Sequence, residues 1–480
     1  MKKTRRQGPS RERLATVGED GSRLVVHPAD TRGRFTVLRR VAAVLLIAVY
    51  VLLPWIPVNG YPAVFFDLAN LRFHLFGATL SVHDLWLGFF LITGLAFSLF
   101  FVTALFGRIW CGWACPQTVF LEHVFRRIER FLEGDAVARK RLDQSPWTAE
   151  KFLRRGTKHV LFLVCAALIA HILLSYFVSI PGLWGMITHS PLEHWRPFVF
   201  IVIATGLLYF NFSWFREQLC IIICPYGRLQ SALIDDDSIV IGYDEKRGEP
   251  RGRTHGRERD PHLGDCVDCF RCVQVCPTGI DIRQGLQLEC IGCANCIDAC
   301  DKVMDRLGRP RGLIRYDSLN GLAGKPRRIL RPRIILYTVL LVIGLVVASV
   351  SISRYEPATF NIVRLQGAAY YVDETSVRNQ FTVRVINKTM ESQRYTLEAR
   401  PAADGIEGFS IVGWDAPVTV EANGEVVRPL VLRIARGAYN GGFPVRVELH
   451  DEGGTVALSH TVEFIGPDPR LFKAHEKAVP

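Results

Sequence analysis

Five stretches of the chain, 41–58, 85–107, 160–180, 198–215 and 334–352, contain no Asp, Glu, Lys or Arg. Each is close to the ~20 residues that a helix needs to cross a bilayer. In lipid the backbone must bond internally, so these runs predict five transmembrane α-helices and exclude an ordinary soluble fold. The fourth carries a polar amide, Asn211, inside it. About forty mainly polar residues precede the first run, which is therefore expected to stay in place as an anchor and not to be removed as a signal peptide.

The basic residues orient these spans. Residues 1–40 hold 11 Lys or Arg against 4 Asp or Glu, and 108–158 hold 11 more, whereas the loops 59–84 and 181–197 hold one each, Arg72 and Arg196. With the positive loops inside, the N-terminus is expected in the cytoplasm and the C-terminus outside. The formal charge of +12 sits on that inner face, since 354–480 holds 14 basic and 16 acidic residues. Topology and contact with anionic membrane lipid account for it, and no nucleic-acid partner is expected.

The organisation follows from these markers. Residues 1–40 read as a disordered basic cytoplasmic tail, and 41–235 as a membrane region of four helices. Residues 236–333 read as a cytoplasmic cysteine-rich domain entered through a glycine-rich loop at 242–264, and 334–353 as the fifth helix. After the second span Val119, Phe120, Val124, Phe125, Ile128, Phe131 and Leu132 recur at helical spacing opposite Arg126, Arg127 and Arg130. That pattern predicts a helix lying on the inner membrane surface. Residues 354–480 change style. Phe381, Val383 and Val385, then Leu430, Leu432 and Ile434, then Val445, Val447 and Leu449 alternate with polar neighbours, with turn signals at Ala422-Asn423-Gly424 and Glu452-Gly453-Gly454. An all-β Ig-like sandwich without disulfides is expected. The sequon Asn387-Lys388-Thr389 is read as chance.

All 13 cysteines lie between Cys111 and Cys300, none on the oxidising side, so they are read as metal or redox thiols. Cys266, Cys269, Cys272 and Cys276 are spaced two, two and three residues apart, and Cys290, Cys293, Cys296 and Cys300 repeat the rhythm. This is the bacterial dicluster ferredoxin pattern, in which each run gives three ligands to one cubane and its fourth to the other. The expected sets for two [4Fe–4S] clusters are Cys266, Cys269, Cys272 with Cys300, and Cys290, Cys293, Cys296 with Cys276, in a ferredoxin-like α+β insert. Paired zinc sites would leave the third close cysteine of each run unexplained. The second run departs from the pattern in ending Cys300-Asp301, where a proline is usual.

A second signal is a repeat. Cys111 and Cys115-Pro116 close the second span, and Cys220 and Cys224-Pro225 the fourth, each as C-x-x-x-C-P after an arginine, Arg108 or Arg216. Residues four apart share a helix face, so each pair offers two ligands to one ion. Proline at the first helical position places Cys115 and Cys224 at N-caps, where the helix dipole favours a low-pKa thiolate. Four such thiols suit copper(I) or another thiophilic centre. His171 inside the third span, and His189 and His194 near the outer face, are not counted as ligands. No G-x-G-x-x-G fingerprint marks a nicotinamide or flavin site, so the electron donor should be external.

With motifs, spans and sandwich in place, the chain closely resembles the FixG/RdxA/CcoG family of cytochrome c oxidase accessory proteins. The stretches GRIWCGWACPQT, CPYGRLQSALIDDDSIVIGYDEKRGEPRG and CVDCFRCVQVCPTGIDIRQGLQLECIGCANCIDAC carry the likeness, together with the Ig-like region. The resemblance implies a multi-pass protein of the bacterial inner membrane with a periplasmic C-terminus. It would be a cupric reductase that turns Cu(II) into Cu(I) for a cbb-type oxidase, with copper as substrate. Cys111, Cys115, Cys220 and Cys224 would be its catalytic thiols. Copper chaperones or transporters and oxidase assembly factors would be its partners. Two rivals stand beside it: an electron relay between the quinone pool and a partner reductase, and a redox-sensing scaffold whose sandwich binds assembly partners.

Overall fold

The computed structural model describes residue 16 and residues 23–68, 72–81, 85–252, 262–353, 356–389, 391–402, 406–422, 424–453, 457–468 and 470. Two units are distinct: 1–66 with 89–347, and 67–88 with 348–480.

The first unit contains the expected spans. They are α1 (Arg34–Leu52), α2 (Leu85–Phe106), α7 (Ala149–Ser175), α9 (Trp195–Phe210, continued by a π-helical turn to Phe215) and α15 (Pro332–Ser353), with shorter helices between them, among them α8 (Ile180–Thr188) and α14 (Leu319–Leu322). Each of the five is long and apolar enough to cross a membrane. Side chains such as Val44, Ile92, Leu207 and Leu345 stand exposed on them, as lipid-facing residues do. The short strands β1 (Pro57–Val58) and β2 (Tyr61–Pro62) pair after α1, and β3 (Val64–Asp67) follows. Asn211 is accommodated at the end of the fourth span by a reciprocal amide pair with Gln117, at 3.2 and 2.7 Å. A polar residue in an apolar run is tolerated when a partner meets its donors and acceptors.

Three expectations need correction. The tail does not run to residue 40, because α1 begins at Arg34 and Ala29 and Asp30 before it bond to the cysteine-rich domain; residues 1–15 and 17–22 lie outside the described residues. Ala29 N–H donates to Gln274 O at 2.7 Å, and Arg271 donates to Asp30 O at 3.2 Å. The N-terminal N–H groups of α1 are satisfied by a carboxylate from far away, since Asp298 on α13 (Asn295–Arg306) accepts from Phe35 N at 3.2 Å and Thr36 N at 2.7 Å. A Cβ on Gly33 would stand 2.3 Å from Asp298 Cγ, so the close approach requires glycine there. Second, the glycine-rich segment 242–264 is not all loop. It enters through β6 (Val240–Tyr243), which pairs antiparallel with β7 (Ile314–Asp317), and continues into α11 (Glu245–Gly248); residues 253–261 lie outside the described residues.

Third, the helix after the second span is neither continuous nor two-faced as its pattern suggests. It runs as α4 (Pro116–Phe120), a π-helical turn (Leu121–Phe125) and α5 (Arg126–Glu133), then α6 (Ala136–Gln144). Phe125 is fully buried, stacked on Phe212 at 4.3 Å and edge-on to Phe162 at 4.9 Å. The arginine face is split. Arg127 and Arg130 are exposed, but Arg126 is buried against Glu122 and Glu217. Glu129 meets Arg216 and, at 3.5 Å, Arg139, while Glu133 meets Lys158 at 2.7 Å. Burial works against the Glu129 carboxylate, yet Arg216 and Lys158 outweigh it and hold its pKa below the usual range.

In the second unit β4 (Arg72–Leu75) and β5 (Ala78–Ser81) form a hairpin. The C-terminal region is a sandwich. One sheet has the order β12 (Phe409–Val412), β14 (Glu425–Ala435), β10 (Ser376–Asn387), β8 (Ala358–Arg364), with β9 (Tyr371–Val372) also on β10. The other has the order β13 (Val418–Val420), β11 (Gln393–Pro401), β15 (Phe443–Asp451), β16 (Ala457–Phe464). The residues read as alternating inward, from Phe381 to Leu449, all lie in its core with Trp414 and Tyr439. Of the turn signals, Asn423 and Gly454 lie outside the described residues. Asn387 is fully buried and donates to Glu391 O at 2.7 Å, so the sequon is closed to glycosylation.

Removing one partner of a buried ion pair leaves the other charge without compensation, at a cost of about 3–5 kcal/mol. Glu129→Gln is therefore expected to lower the melting transition of the first unit in detergent while the sandwich transition stays in place. An unchanged first transition would show that Arg216 does not depend on Glu129.

Candidate functional site

The two cysteine runs fold alike. In the first, Asp268 and Phe270 have φ of 52° and 59°; in the second, Gly292 and Ala294 have φ of 68° and 63° at the matching positions. Each pair of left-handed residues coils the backbone round its thiols, and a helix starts directly after: α12 (Arg271–Gln274) in the first run and α13 in the second. The runs then differ. After Cys276, Pro277 ends the first, whereas Cys300-Asp301 stays inside α13, which continues to Arg306. A proline at 301 would break that helix, which explains the departure from the usual pattern.

Two cavities result. Cys266, Cys269, Cys272 and Cys300 line one, with Tyr243 and Arg283. Cys276, Cys290, Cys293 and Cys296 line the other, with Ile280 and Ile282, and Cys272 borders both. The crossed sets expected from the spacing are thus brought together. Burial pushes Cys290 up to about 11 and Cys293 and Cys300 up to about 12, and raises Cys272 and Cys296. Unligated, these thiols hold their protons. A thiophilic cation is what ionises them.

Among the described residues no three His, Cys, Asp or Glu side chains are placed to hold one metal ion. Zinc, with bonds of about 2.3 Å, would draw four sulfurs within roughly 4 Å of each other. A cubane spreads its thiolates over separate irons. Eight cysteines, three from one run and one from the other in each of two walled cavities, fit [4Fe–4S] clusters. Arg283, held by Asp281 at 2.7 Å and Asp268 at 2.6 Å, covers the Phe270 ring at 4.0 Å and supplies positive charge beside the first cavity. Cys269 alone among the eight is exposed.

The C-x-x-x-C-P segments form a third group. Cys115 and Cys224 are the N-caps of α4 and α10 (Pro225–Leu233), each with proline following, as expected. The shared helix face is not there. Cys111 lies in α3 (Ile109–Trp113), which ends before Cys115, and Cys220 lies in a π-helical turn (Leu219–Ile223) that ends before Cys224. In both segments the second cysteine donates its N–H to the carbonyl five residues back, Cys115 to Trp110 at 2.9 Å and Cys224 to Leu219 at 2.8 Å. The extra residue in the turn rotates the pair off one face. The four thiols still act on one another: Cys220 feels Cys115, Cys111 and Cys224, and Cys111 feels Cys115 and Cys224. They form one nest drawn from both segments.

The low thiol pKa expected for Cys115 is opposed by burial. Burial raises Cys111 to about 11 and Cys220 to about 12, and lifts Cys115 despite the N–H groups of Gln117 and Thr118. Desolvation exceeds what a helix end supplies. Gln230, fully buried on α10, donates Nε2–H to Cys111 Sγ at 3.0 Å, a contact across the two segments that no motif announced.

The nest adjoins the second cavity. A Cβ on Gly112 would meet Ile291 O at 2.6 Å and Cys293 Cα at 3.0 Å, so only glycine beside Cys111 allows α3 to touch that cysteine run. Arg39 ties the contact, donating Nε–H to Gly112 O and Nη1–H to Asn295 Oδ1, both at 2.9 Å. Arg108 joins Gly227 O, at 3.2 Å, to Leu288 O. A cavity of about 40 Å³ between nest and cluster domain is bordered by Cys111, Cys220, Glu217, Gln230 and Glu289. His171 and His189 instead bond carbonyls of their own turns, Ala167 and Gly185, each at 2.7 Å.

Comparison with known proteins adds three family matches: a 4Fe-4S binding domain over 87–134, a 4Fe-4S dicluster domain over 215–319, and the Ig-like fold at the C-terminus of FixG over 348–467. The chain is 36% identical to protein RdxA of Cereibacter sphaeroides over 455 residues, 90% of this chain and 94% of that one. It is 34% identical to nitrogen fixation protein FixG of Rhizobium meliloti, covering 84% and 85%. Among solved structures, a FixG-related protein from Vibrio parahaemolyticus matches 23% of this chain and 97% of its own, at 23% identity and a TM-score of 0.21.

Anaerobically purified protein is expected to hold about eight iron and eight sulfide per chain, two cubanes' worth. About four more of each would place a third cubane on the nest. Zinc in place of iron would refute the assignment.

Proposed function

The chain belongs to the FixG/RdxA family of membrane-bound iron–sulfur electron-transfer proteins, and from that premise we propose that it reduces Cu(II) to Cu(I) at the thiol nest. The observation that carries the reading is the close approach of Gly112, the residue after Cys111, to Ile291 and Cys293, which line the second cluster cavity. Bound in the two cavities, [4Fe–4S] clusters supply one-electron storage and transfer.

The chain's own residues do the rest. Exposed Cys269 offers an external donor access to the first cavity, and Cys272 borders both cavities. Cu(II) takes up one electron and the donor loses one. The 40 Å³ cavity is bordered by Glu289, by Glu217, one of whose oxygens Arg126 holds, and by the thiols of Cys111 and Cys220, with Arg108 also in its wall. Oxygen ligands suit the harder ion and sulfur ligands the softer product. Gln230 orients Cys111. Thiols that do not converge on one point suit a substrate that must leave. The Cu(I) would go to copper chaperones or transporters and to assembly factors of a cbb-type oxidase. The nest and clusters would face the cytoplasm of a bacterium and the sandwich the periplasm.

A second reading is favoured by one match. The 4Fe-4S binding domain over 87–134 contains only Cys111 and Cys115, so a cubane there would need Cys220 and Cys224 to complete it. The protein would then relay electrons between the quinone pool and a partner reductase.

Reporter fusions near residue 250 should be active inside the membrane and fusions after residue 360 outside. An inside C-terminus would overturn the orientation. Serine at Cys111 with Cys115, or at Cys220 with Cys224, should leave the visible absorption of the eight-cysteine clusters and their reduction by dithionite intact. Cu(II) reduction should fall by tenfold or more, because hydroxyls ligate copper(I) poorly (roughly, from ligand softness). Unchanged copper reduction with intact clusters would refute the nest as the copper site. Loss of about four iron per chain would establish the relay reading instead.

A further inference from the structure

Six arginines, Arg39, Arg40, Arg126, Arg127, Arg130 and Arg139, line one cavity of about 70 Å³ where α1 meets the helix from Pro116 to Glu133. Carboxylates account for half of them. Arg126 has Glu122 and Glu217, Arg130 has Asp30, and Arg139 has Glu129. Arg39, Arg40 and Arg127 have no carboxylate partner among the described residues. Arg39 is 3% exposed, and its Nη2 makes no hydrogen bond although Nε and Nη1 are both used. A buried guanidinium with a free donor, beside two further cations, is a site prepared for an anion.

The surroundings confirm an uncompensated positive field. Burial and then Arg39 push His123, also in the cavity wall, down to about 4; Glu122 opposes, and Arg127 and Arg40 add to the fall. Arg39 is buried and Arg40 and Arg127 stand exposed beside it, so a phosphate group with its several oxygens can meet more than one guanidinium from the open side.

We propose that this cavity binds a phosphate-bearing anion, with the headgroup of an anionic phospholipid as its source in the membrane. The sequence places it at the right level. Arg40 immediately precedes the apolar run, and Val44, four residues on and on the same face of α1, is 65% exposed. A phosphate against Arg40 and Arg127 leaves acyl chains free to follow Val44 into the hydrocarbon. Basic pockets at membrane helix ends recognise such headgroups. The inference does not depend on which substrate is reduced.

The test uses the full chain, purified anaerobically and stripped of lipid, then presented with phosphatidylcholine alone or with added phosphatidylglycerol. Retained lipid is read by native mass spectrometry. Wild type should retain phosphatidylglycerol in preference to phosphatidylcholine, and R40Q/R127Q should bind it about thirtyfold more weakly. Unchanged iron–sulfur absorption verifies folding. Arg127→Gln alone, at an exposed position, provides a milder variant that should lose part of the preference. In a second arm, inorganic phosphate is added in detergent. If it raises the melting temperature of wild type but not of R40Q/R127Q, and phosphatidylglycerol is not retained, the anion is soluble phosphate and the site stands with that source. If neither probe distinguishes wild type from the variants, the proposal is overturned.

Discussion

The ion pair between Glu129 and Arg216 ties together the two halves of the membrane unit. Glu129 lies on the helical segment that begins at Cys115-Pro116, and Arg216 opens the segment that carries Cys220 and Cys224. Their contact therefore fixes how far one cysteine pair stands from the other. Arg139, Arg126 and Lys158 extend the same buried network to α6, the cluster domain and the third span, since Arg126 also donates to Pro277 O at 3.1 Å. Such networks seldom stabilise more than apolar packing would. Their value lies in specifying one arrangement, because a buried charge tolerates so few partners.

Much of this was legible in the sequence, and the limits have physical causes. The spans, the sandwich and the eight ferredoxin cysteines are written in period, length and spacing, which survive in one dimension. Arg126 was read with Arg127 and Arg130 as a solvated face because all three share a helical side. What separates them is Glu217, ninety-one residues away. The shared face of Cys111 and Cys115 failed for a local reason: a turn five residues long has the same sequence spacing as one of four. Gln230 carried no signal at all. An amide donor to a thiol is visible only once α10 has folded against α3.

Gly33, Gly112 and Gly292 perform a related service at three joints. Each lies where another backbone or carboxylate comes closer than a Cβ would allow: Asp298, Ile291 and Cys293, and Arg108. All three joints connect the cluster domain to the membrane helices or to the chain that enters them. Backbone approaches backbone at these joints because side chains are missing from them, and Arg108 and Arg39 bring positive charge to Cys111, Cys290 and Cys293 beside them.

The capping of α1 by Asp298 has a consequence in time. The donor groups at Thr36 and the carboxylate that satisfies them are 262 residues apart. At about 5–20 residues per second, a ribosome needs roughly 10–50 s to pass from one to the other. During that interval the first span is already made, but its leading N–H groups have no protein partner. Asp298 sits between Cys296 and Cys300 on α13, so the cap arrives with the metal-binding run. The first membrane anchor is thus finished only by the segment that carries the second cysteine run.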